Sequence, residues 1–121
     1  MNYAVEIKES SMELTARDRI KMKDVSNAIK LDEATQLDSI RIAPVGYVVL
    51  DVHNEKSDNT DYEQYLILTA DDKKYVTGSK SFFTTFRGIW DELAGEDFEL
   101  DIYRKDSKNY TGKQFITCSL V

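Results

Sequence analysis

A single segment with a helical repeat, residues 78–95, interrupts a chain whose other well-patterned segments resemble β-strands. In "GSKSFFTTFRGIWDELAG" the large apolar residues recur at the three- and four-residue spacing of one helix face. Serines at 79 and 81 suit the start of a helix, and Gly95 suits its end. Gly88 within the segment predicts close packing against a neighbouring element. The apolar face, which we expect to plug a core, comprises Phe82, Phe83, Phe86, Ile89, Trp90 and Leu93.

Three strand-like segments precede this helix. Residues 40–53 are rich in β-branched and aromatic types, and they predict one long strand that bends near Pro44 and Gly46. The polar connection at 54–61 leads to a second strand at 62–69. A short acidic turn then leads to a third strand at 73–77, so the sequence predicts a meander of three strands.

Two more strands follow the helix, joined by a connection at residues 105–112. In the first of them Phe98, Leu100 and Ile102 alternate with polar residues, and the second is the apolar run "KQFITCSLV". The chain is therefore predicted to be mainly β, in the order β-β-β-α-β-β, as one domain over residues 1–121. This is the layout of an OB-fold, a five-stranded barrel whose second and third strands form the face that binds oligonucleotides.

The N-terminal part is predicted to be an extension of that barrel. In "ARDRIKMKDV", residues 16–25, cations recur at every second position, which would place them on one face of a strand. The start of a charged helix is the alternative interpretation, and residues 26–39 mix helix and turn signals. The cations of the predicted basic stripe are Arg17, Arg19, Lys21 and Lys23.

Charge is segregated along the chain. The 121 residues carry a net charge of -6, which argues against a binder of nucleic acid that relies on overall charge alone. Residues 103–121, however, contain four cations and one carboxylate. The stretch "KDSKNYTGKQF", residues 105–115, adds aromatic rings and a glycine, and we expect Asn109 and Gly112 to adopt the positive φ of a tight connection.

Lysines and exposed rings together are what a site for single-stranded nucleic acid requires, because ammonium groups follow phosphates while rings stack on bases. The tyrosines assigned to strands have polar residues two positions away, which favours an outward orientation. The predicted interface comprises Tyr47, Tyr65, Tyr75, Tyr103, Arg104, Lys105, Lys108, Tyr110, Lys113 and Phe115, with Arg19 and Lys21 from the basic stripe.

Signals for catalysis are weak. His53 is the only histidine, and its neighbours Asp51 and Glu55 make a poor metal site without a second histidine. No nucleophile elbow is present, and the single cysteine, Cys118, lies in an apolar run that favours burial. We therefore predict a protein that is not an enzyme and has no cofactor. The start of the sequence lacks a secretory signal and no apolar run would span a membrane, so we expect a cytoplasmic protein.

The segments "YLILTADDKKYVTGSKSFFTTF" and "SKNYTGKQFITCSLV" resemble the small single-stranded DNA-binding proteins of tailed bacteriophages and prophages of Gram-positive bacteria. The resemblance covers roughly residues 40–121. It implies an OB-like fold that coats single-stranded DNA during phage replication or recombination, with phage replication or recombination proteins as further partners and no cofactor. Exposed sheet edges also favour homo-oligomers. Among the residues above, the resemblance places Tyr75, Lys108, Tyr110 and Lys113 at the DNA.

An acidic protein-interaction module, including an inhibitor that mimics DNA, is the alternative function. Its support is the 22 acidic residues, among them the run "DELAGEDFELD" at 91–101, whose carboxylates could imitate a row of phosphates. The same run is equally typical of a solvated helix end followed by the exposed side of a strand.

Overall fold

A computed structural model describes residues 3–56, 58, 60–93, 95–108 and 111–121. They form eight strands in two sheets and three helices, so the predicted mainly-β class is confirmed. In chain order the elements are β1 Tyr3–Ser10, α1 Ala16–Lys23, β2 Ile29–Lys30, α2 Leu31–Ala34, β3 Ile40–Ile42, β4 Pro44–Asn54, β5 Asp61–Thr69, β6 Lys74–Thr77, α3 Lys80–Glu92, β7 Leu100–Asp106 and β8 Gln114–Leu120.

The predicted meander and the predicted final hairpin are both confirmed. Strands β4, β5 and β6 pair antiparallel in sequence order, and β7 pairs antiparallel with β8. The five-stranded sheet has the order β1-β4-β5-β6-β2, and the three-stranded sheet has the order β3-β7-β8. An N-terminal strand that was not predicted from the sequence, β1, lies antiparallel to β4.

The segment predicted as one long strand is divided between the two sheets. Strand β3 pairs with β7, whereas β4 pairs with β5, and only Ala43 separates β3 from β4. A register shift between Pro44 and Gly46 accompanies the change, as expected of a residue that cannot donate a backbone hydrogen bond. The chain therefore passes from one sheet to the other at this point. Among the described strands no pairing joins β6 to β8, because β2 occupies the edge of β6.

Helix α3 is confirmed together with its capping signals. The Ser79 side chain accepts a hydrogen bond from the Phe82 backbone N–H at 3.3 Å, and Gly95 has a φ of 85°. The prediction for Gly88 is wrong, because a Cβ built there would meet nothing within 4 Å. Phe82, Phe83 and Phe86 are buried, and Trp90 packs against the same cluster.

The prediction of a strand at residues 16–25 is wrong, because Ala16–Lys23 form α1, as the alternative interpretation of a charged helix proposed. Thr15 caps the helix by accepting from the Asp18 N–H at 3.1 Å, while Asp18 accepts from the Thr15 N–H at 3.1 Å. This reciprocal capping box satisfies two backbone donors that a strand start would leave open. The alternation of cations is therefore incidental to the local structure.

Two apolar clusters lie on opposite faces of the five-stranded sheet. The larger one fills the space between the two sheets and α3, and it includes Leu31 from α2 and Cys118 from β8. The predicted burial of Cys118 is confirmed, and burial raises the pKa of its thiol to about 11. The smaller cluster lies beneath the segment that links β1 to β2. None of the helices formed by the described residues is long and apolar enough to span a membrane.

Candidate nucleic-acid interface

Three of the tyrosines predicted to face outward are buried instead. Tyr47, Tyr65 and Tyr75 are 4%, 3% and 7% exposed and belong to the larger core cluster. The ring of Tyr65 stacks on Phe83 at a centroid distance of 4.4 Å, and the ring of Tyr47 meets Phe83 edge-on at 5.5 Å. These rings pack beneath α3, so none of them presents a face on which a base could stack.

The hydroxyl groups of two of these tyrosines reach the rim of the core. Tyr47 donates to Glu9 at 2.6 Å, and Tyr65 donates to Glu63 at 2.9 Å. Burial and the hydrogen bond to a carboxylate raise the pKa of each phenol to about 12. The Arg87 guanidinium lies 4.9 Å from the centre of the Tyr47 ring and also pairs with Glu9. This arrangement joins β1, β4 and α3, and its role is structural.

The opposite face of the meander, which an OB-fold would use for ligand, is covered by the chain itself. Apolar residues of the segment after β1, among them Leu14 and Met22, pack over that face, and Val5 and Ile7 of β1 flank the covered cluster within the same sheet. Exposing the five covered side chains would cost roughly 8–15 kcal/mol at ~1.5–3 kcal/mol each, which is comparable to the whole stability of a domain. We conclude that this face is closed to ligand. The covered residues are Val48, Leu50, Val52, Leu66 and Val76.

The basic stripe predicted from Arg19 and Lys21 is split by the helical geometry of α1. Residues two apart on a helix differ by ~200° in direction, so these two side chains leave the axis on different sides. Arg19 and Glu6 of β1 line the same cavity, and Lys23 is 3.8 Å from the Glu6 carboxylate. All the α1 cations are exposed, but they do not form the single row that the sequence predicted.

The outer face of the β7–β8 hairpin keeps the features of a binding surface. Directly paired residues share a face, and the pair Ile102–Cys118 is buried, so the neighbouring pairs face outward. Lys105 is opposite Phe115 on this outer face, and Tyr103 is one pair further along. Phe115 is 40% exposed, and Lys105 forms no ion pair with any described residue. The hairpin therefore presents a ring and an ammonium group side by side.

Tyr103 extends this surface. It is diagonal to Phe115 across the hairpin, but its ring is turned towards Ser119, on the side away from Phe115. Its hydroxyl is 2.7 Å from the Ser119 hydroxyl, which holds the ring along the sheet. Further along the same face Arg41 of β3 pairs with Asp101 at 2.8 Å. Sequence reasoning did not include Arg41, Thr117 and Ser119, although alternation from Tyr103 and Phe115 would have identified the last two.

Arg104 has a different role from the predicted phosphate contact. It is paired with Ile116, so its side chain starts on the core side of the hairpin. Its guanidinium donates to the backbone carbonyl of Asp32 in α2, and its Nε has no hydrogen-bond partner among the described residues. Arg104 therefore ties the hairpin to α2.

The connection between β7 and β8 is described only in part. Lys108 and Lys113 are exposed, and Gly112 has the predicted positive φ, at 80°. The predictions for Asn109 and Tyr110 lie outside the described residues. The end of the hairpin thus contributes two further lysines next to the Lys105–Phe115 pair.

The His53 region does not supply a metal centre. The His53 Nδ1 atom is 2.8 Å from Asp61, and this hydrogen bond raises the pKa of the imidazole. No three described His, Cys, Asp or Glu side chains are grouped so that they could hold a metal ion. His53 is therefore a strand-end residue with an acidic partner.

The chain matches no protein-family model, and comparisons with curated proteins and with solved structures found no match.

Proposed function

We propose that this chain binds single-stranded DNA, without strong sequence preference, through the outer face of β7 and β8. The observation that carries the proposal is the exposed Phe115 ring opposite Lys105, with Tyr103 on its diagonal. A base stacked on such a ring contributes ~1–3 kcal/mol, and every base has a face to stack. Lys105, with Lys108 and Lys113 at the end of the hairpin, would follow the phosphates.

An OB-like framework is part of this proposal. Strands β3 and β4, separated by one residue and shared between the two sheets, would correspond to the long first strand of such a barrel. The elements β5, β6, α3, β7 and β8 then follow in the OB order. In this framework the β7–β8 connection is one of the two loops that flank an OB ligand face, and because the segment after β1 covers that face, the hairpin itself would hold the DNA. The coating of exposed strands in phage DNA replication or recombination is the role that the sequence resemblance favours.

The acidic remainder of the chain would help to select single strands. Glu6, Asp51 and Glu63 are aligned across three neighbouring strands, and with Lys8 beside Glu63 and Lys23 beside Glu6 this row still has one carboxylate more than its cations. Such a surface repels duplex DNA, whose charge density is higher, while stacking favours unpaired bases. We expect duplex of equal length to compete weakly for the oligothymidine site in moderate salt. Equal competition would contradict this selection.

The test is a titration of the protein with oligothymidine, followed by intrinsic tyrosine and tryptophan fluorescence at several salt concentrations. Phe115→Ala should weaken binding by ~1–3 kcal/mol with little change in salt dependence, because the ring stacks and carries no charge. Tyr3→Ala is the matched control, since it removes a ring that is 55% exposed on the other sheet. Equal affinity of the Phe115 variant and the parent would exclude the hairpin as the site.

A second pair of variants separates phosphate contacts from stacking. Lys105→Ala should reduce the slope of log K against log salt by ~0.7, the value for one phosphate neutralised on a single strand. Lys56→Ala removes an exposed lysine between β4 and β5 and should leave the slope unchanged. The proposal fails if the two lysine variants change the slope equally.

An acidic interaction module is the second candidate, and the alignment of Glu6, Asp51 and Glu63 favours it. Like charges directly opposite on neighbouring strands are unfavourable, and while Lys8 pairs with Glu63 at 2.5 Å and Lys23 lies 3.8 Å from Glu6, Asp51 forms no ion pair with a described residue. A chain with this function would leave oligothymidine unbound. It would instead bind a basic protein, and Asp51→Asn would weaken that complex.

A further inference from the structure

An apolar groove of about 490 Å³ lies where the end of α3 approaches the ends of β7 and β8. Leu93 and Phe98 line the groove, and both are only half-buried. Leu120 and Val121 also line the groove and are 51% and 55% exposed. Leu120 and Val121 are exposed apolar neighbours at a concave surface, as Met12 and Val45 are at another cavity. The groove therefore has the shape and chemistry to take an aliphatic side chain from outside.

The rim of this groove is acidic. Glu96, Asp97 and Glu99 contribute to its lining, and each is exposed. No cation belongs to the residues that line it. An aliphatic side chain flanked by cations would therefore fit the groove better than one flanked by neutral or acidic residues.

Helix α1 presents such a side chain. Ile20 is 71% exposed, and its helical neighbours three residues away are Arg17 and Lys23. Met22, on the opposite side of the helix, packs against the sheet, so Ile20 projects away from the chain to which it belongs. The Lys74 ammonium group also holds the end of α1 on that sheet, by donating to the carbonyl oxygens of Lys21 and Asp24 at 2.8 and 2.7 Å.

We propose that Ile20 of one copy docks into the apolar groove of a second copy, with the cations of α1 facing the acidic rim. The proposed occupant is a second copy, because one chain carries both complementary surfaces. Ile20 with the neighbouring cations is one of them, and the apolar groove with its acidic rim is the other. The contact joins two different surfaces, so it can repeat head to tail, and the rotation between copies decides whether the assembly closes into a ring or stays open. Because it buries one main side chain, it is weak and depends on concentration. It does not require DNA.

Sedimentation velocity of the purified chain without DNA, over a series of concentrations, tests the proposal. The parent should show a sedimentation coefficient that rises with concentration, and Ile20→Glu should weaken self-association roughly ten- to hundredfold. Leu37→Glu is the matched control, since it changes the net charge equally and removes an aliphatic residue that is 96% exposed elsewhere. A parent that stays monomeric throughout would overturn the proposal, as would equal weakening by both variants.

Mixing two variants then tests the head-to-tail geometry. Glu96→Lys combined with Asp97→Lys makes the rim basic and should also abolish self-association. An equimolar mixture with Ile20→Glu should recover one contact per pair, because the rim variant keeps an intact helix and the helix variant keeps an intact groove. A 1:1 complex in the mixture, with both variants monomeric alone, supports the proposal. A mixture that remains monomeric overturns it, and occupation of the groove by an added basic peptide without self-association also overturns it.

Discussion

Replacing Leu31 by alanine tests whether the segment between β1 and β3 is an integral part of the core. This segment precedes the meander and the final hairpin, yet Leu31 is 0% exposed. It belongs to the core cluster that also contains Tyr75 and Phe82. If the cluster depends on this side chain, the N-terminal third of the chain is necessary for folding.

The expected cost follows from burial and from the rigidity of α2. Leu→Ala substitutions at buried sites cost ~2–5 kcal/mol, depending on how far the site can collapse. Two hydrogen bonds hold the α2 backbone, since the Thr35 hydroxyl donates to the Leu31 carbonyl at 2.8 Å and Arg104 donates to the Asp32 carbonyl. Because these bonds limit collapse, we expect the upper part of the range, ~3–5 kcal/mol. Leu31→Met, which conserves volume, should cost less than ~1.5 kcal/mol.

Urea unfolding followed by tryptophan fluorescence measures these differences, because Trp90 packs against the same cluster. Leu37→Ala is the control, and the free energy of unfolding should change by no more than ~0.5 kcal/mol, since Leu37 is 96% exposed. A cost below ~1 kcal/mol for Leu31→Ala would refute the reasoning. It would mean that the N-terminal segment rests on the rest of the domain without supporting it.

Two further predictions concern stability. Gly88→Ala should increase the free energy of unfolding by ~0.5–1 kcal/mol, because alanine has the higher helix propensity and its Cβ would contact nothing within 4 Å. Gly95→Ala should decrease the free energy of unfolding, because Gly95 has a φ of 85°. Urea unfolding of both variants measures these changes, and a destabilised Gly88 variant would contradict the prediction. The free energy of unfolding should also fall as pH rises from about 10 to about 12, with a slope of up to ~1.4 kcal/mol per pH unit for each of Tyr47 and Tyr65. In this range the phenols of the unfolded chain lose their protons before those of the folded chain. The stability that each phenol contributes is therefore present in full below the unfolded pKa and is lost as pH rises through the folded pKa. Urea unfolding at stepped pH measures that slope, Tyr→Phe at both positions should flatten it, and a flat profile for the parent would contradict it.

The candidate surface was only partly predictable. Lys105 and Phe115 were predicted as neighbours of one connection, and the register of the hairpin places them opposite each other on its outer face. Arg104 was predicted in the same group, but its position in the alternation puts it on the core side. The sequence near α1 contained a signal that would have predicted the helix, namely Thr15 followed three residues later by Asp18, which is a variant of the capping box.

The sequence by itself determined α3, the meander and the final hairpin, because periodicity, capping residues and turn residues act over short distances along the chain. Only the tertiary structure decided which face of each strand meets solvent. Strand β4 is apolar on both faces: Tyr47 and Val49 pack towards α3, while Val48 and Leu50 pack beneath the N-terminal segment. Alternation separates two faces of a strand, but it cannot say what covers each one when both are buried. The cover comes from residues distant in sequence, and their position depends on packing.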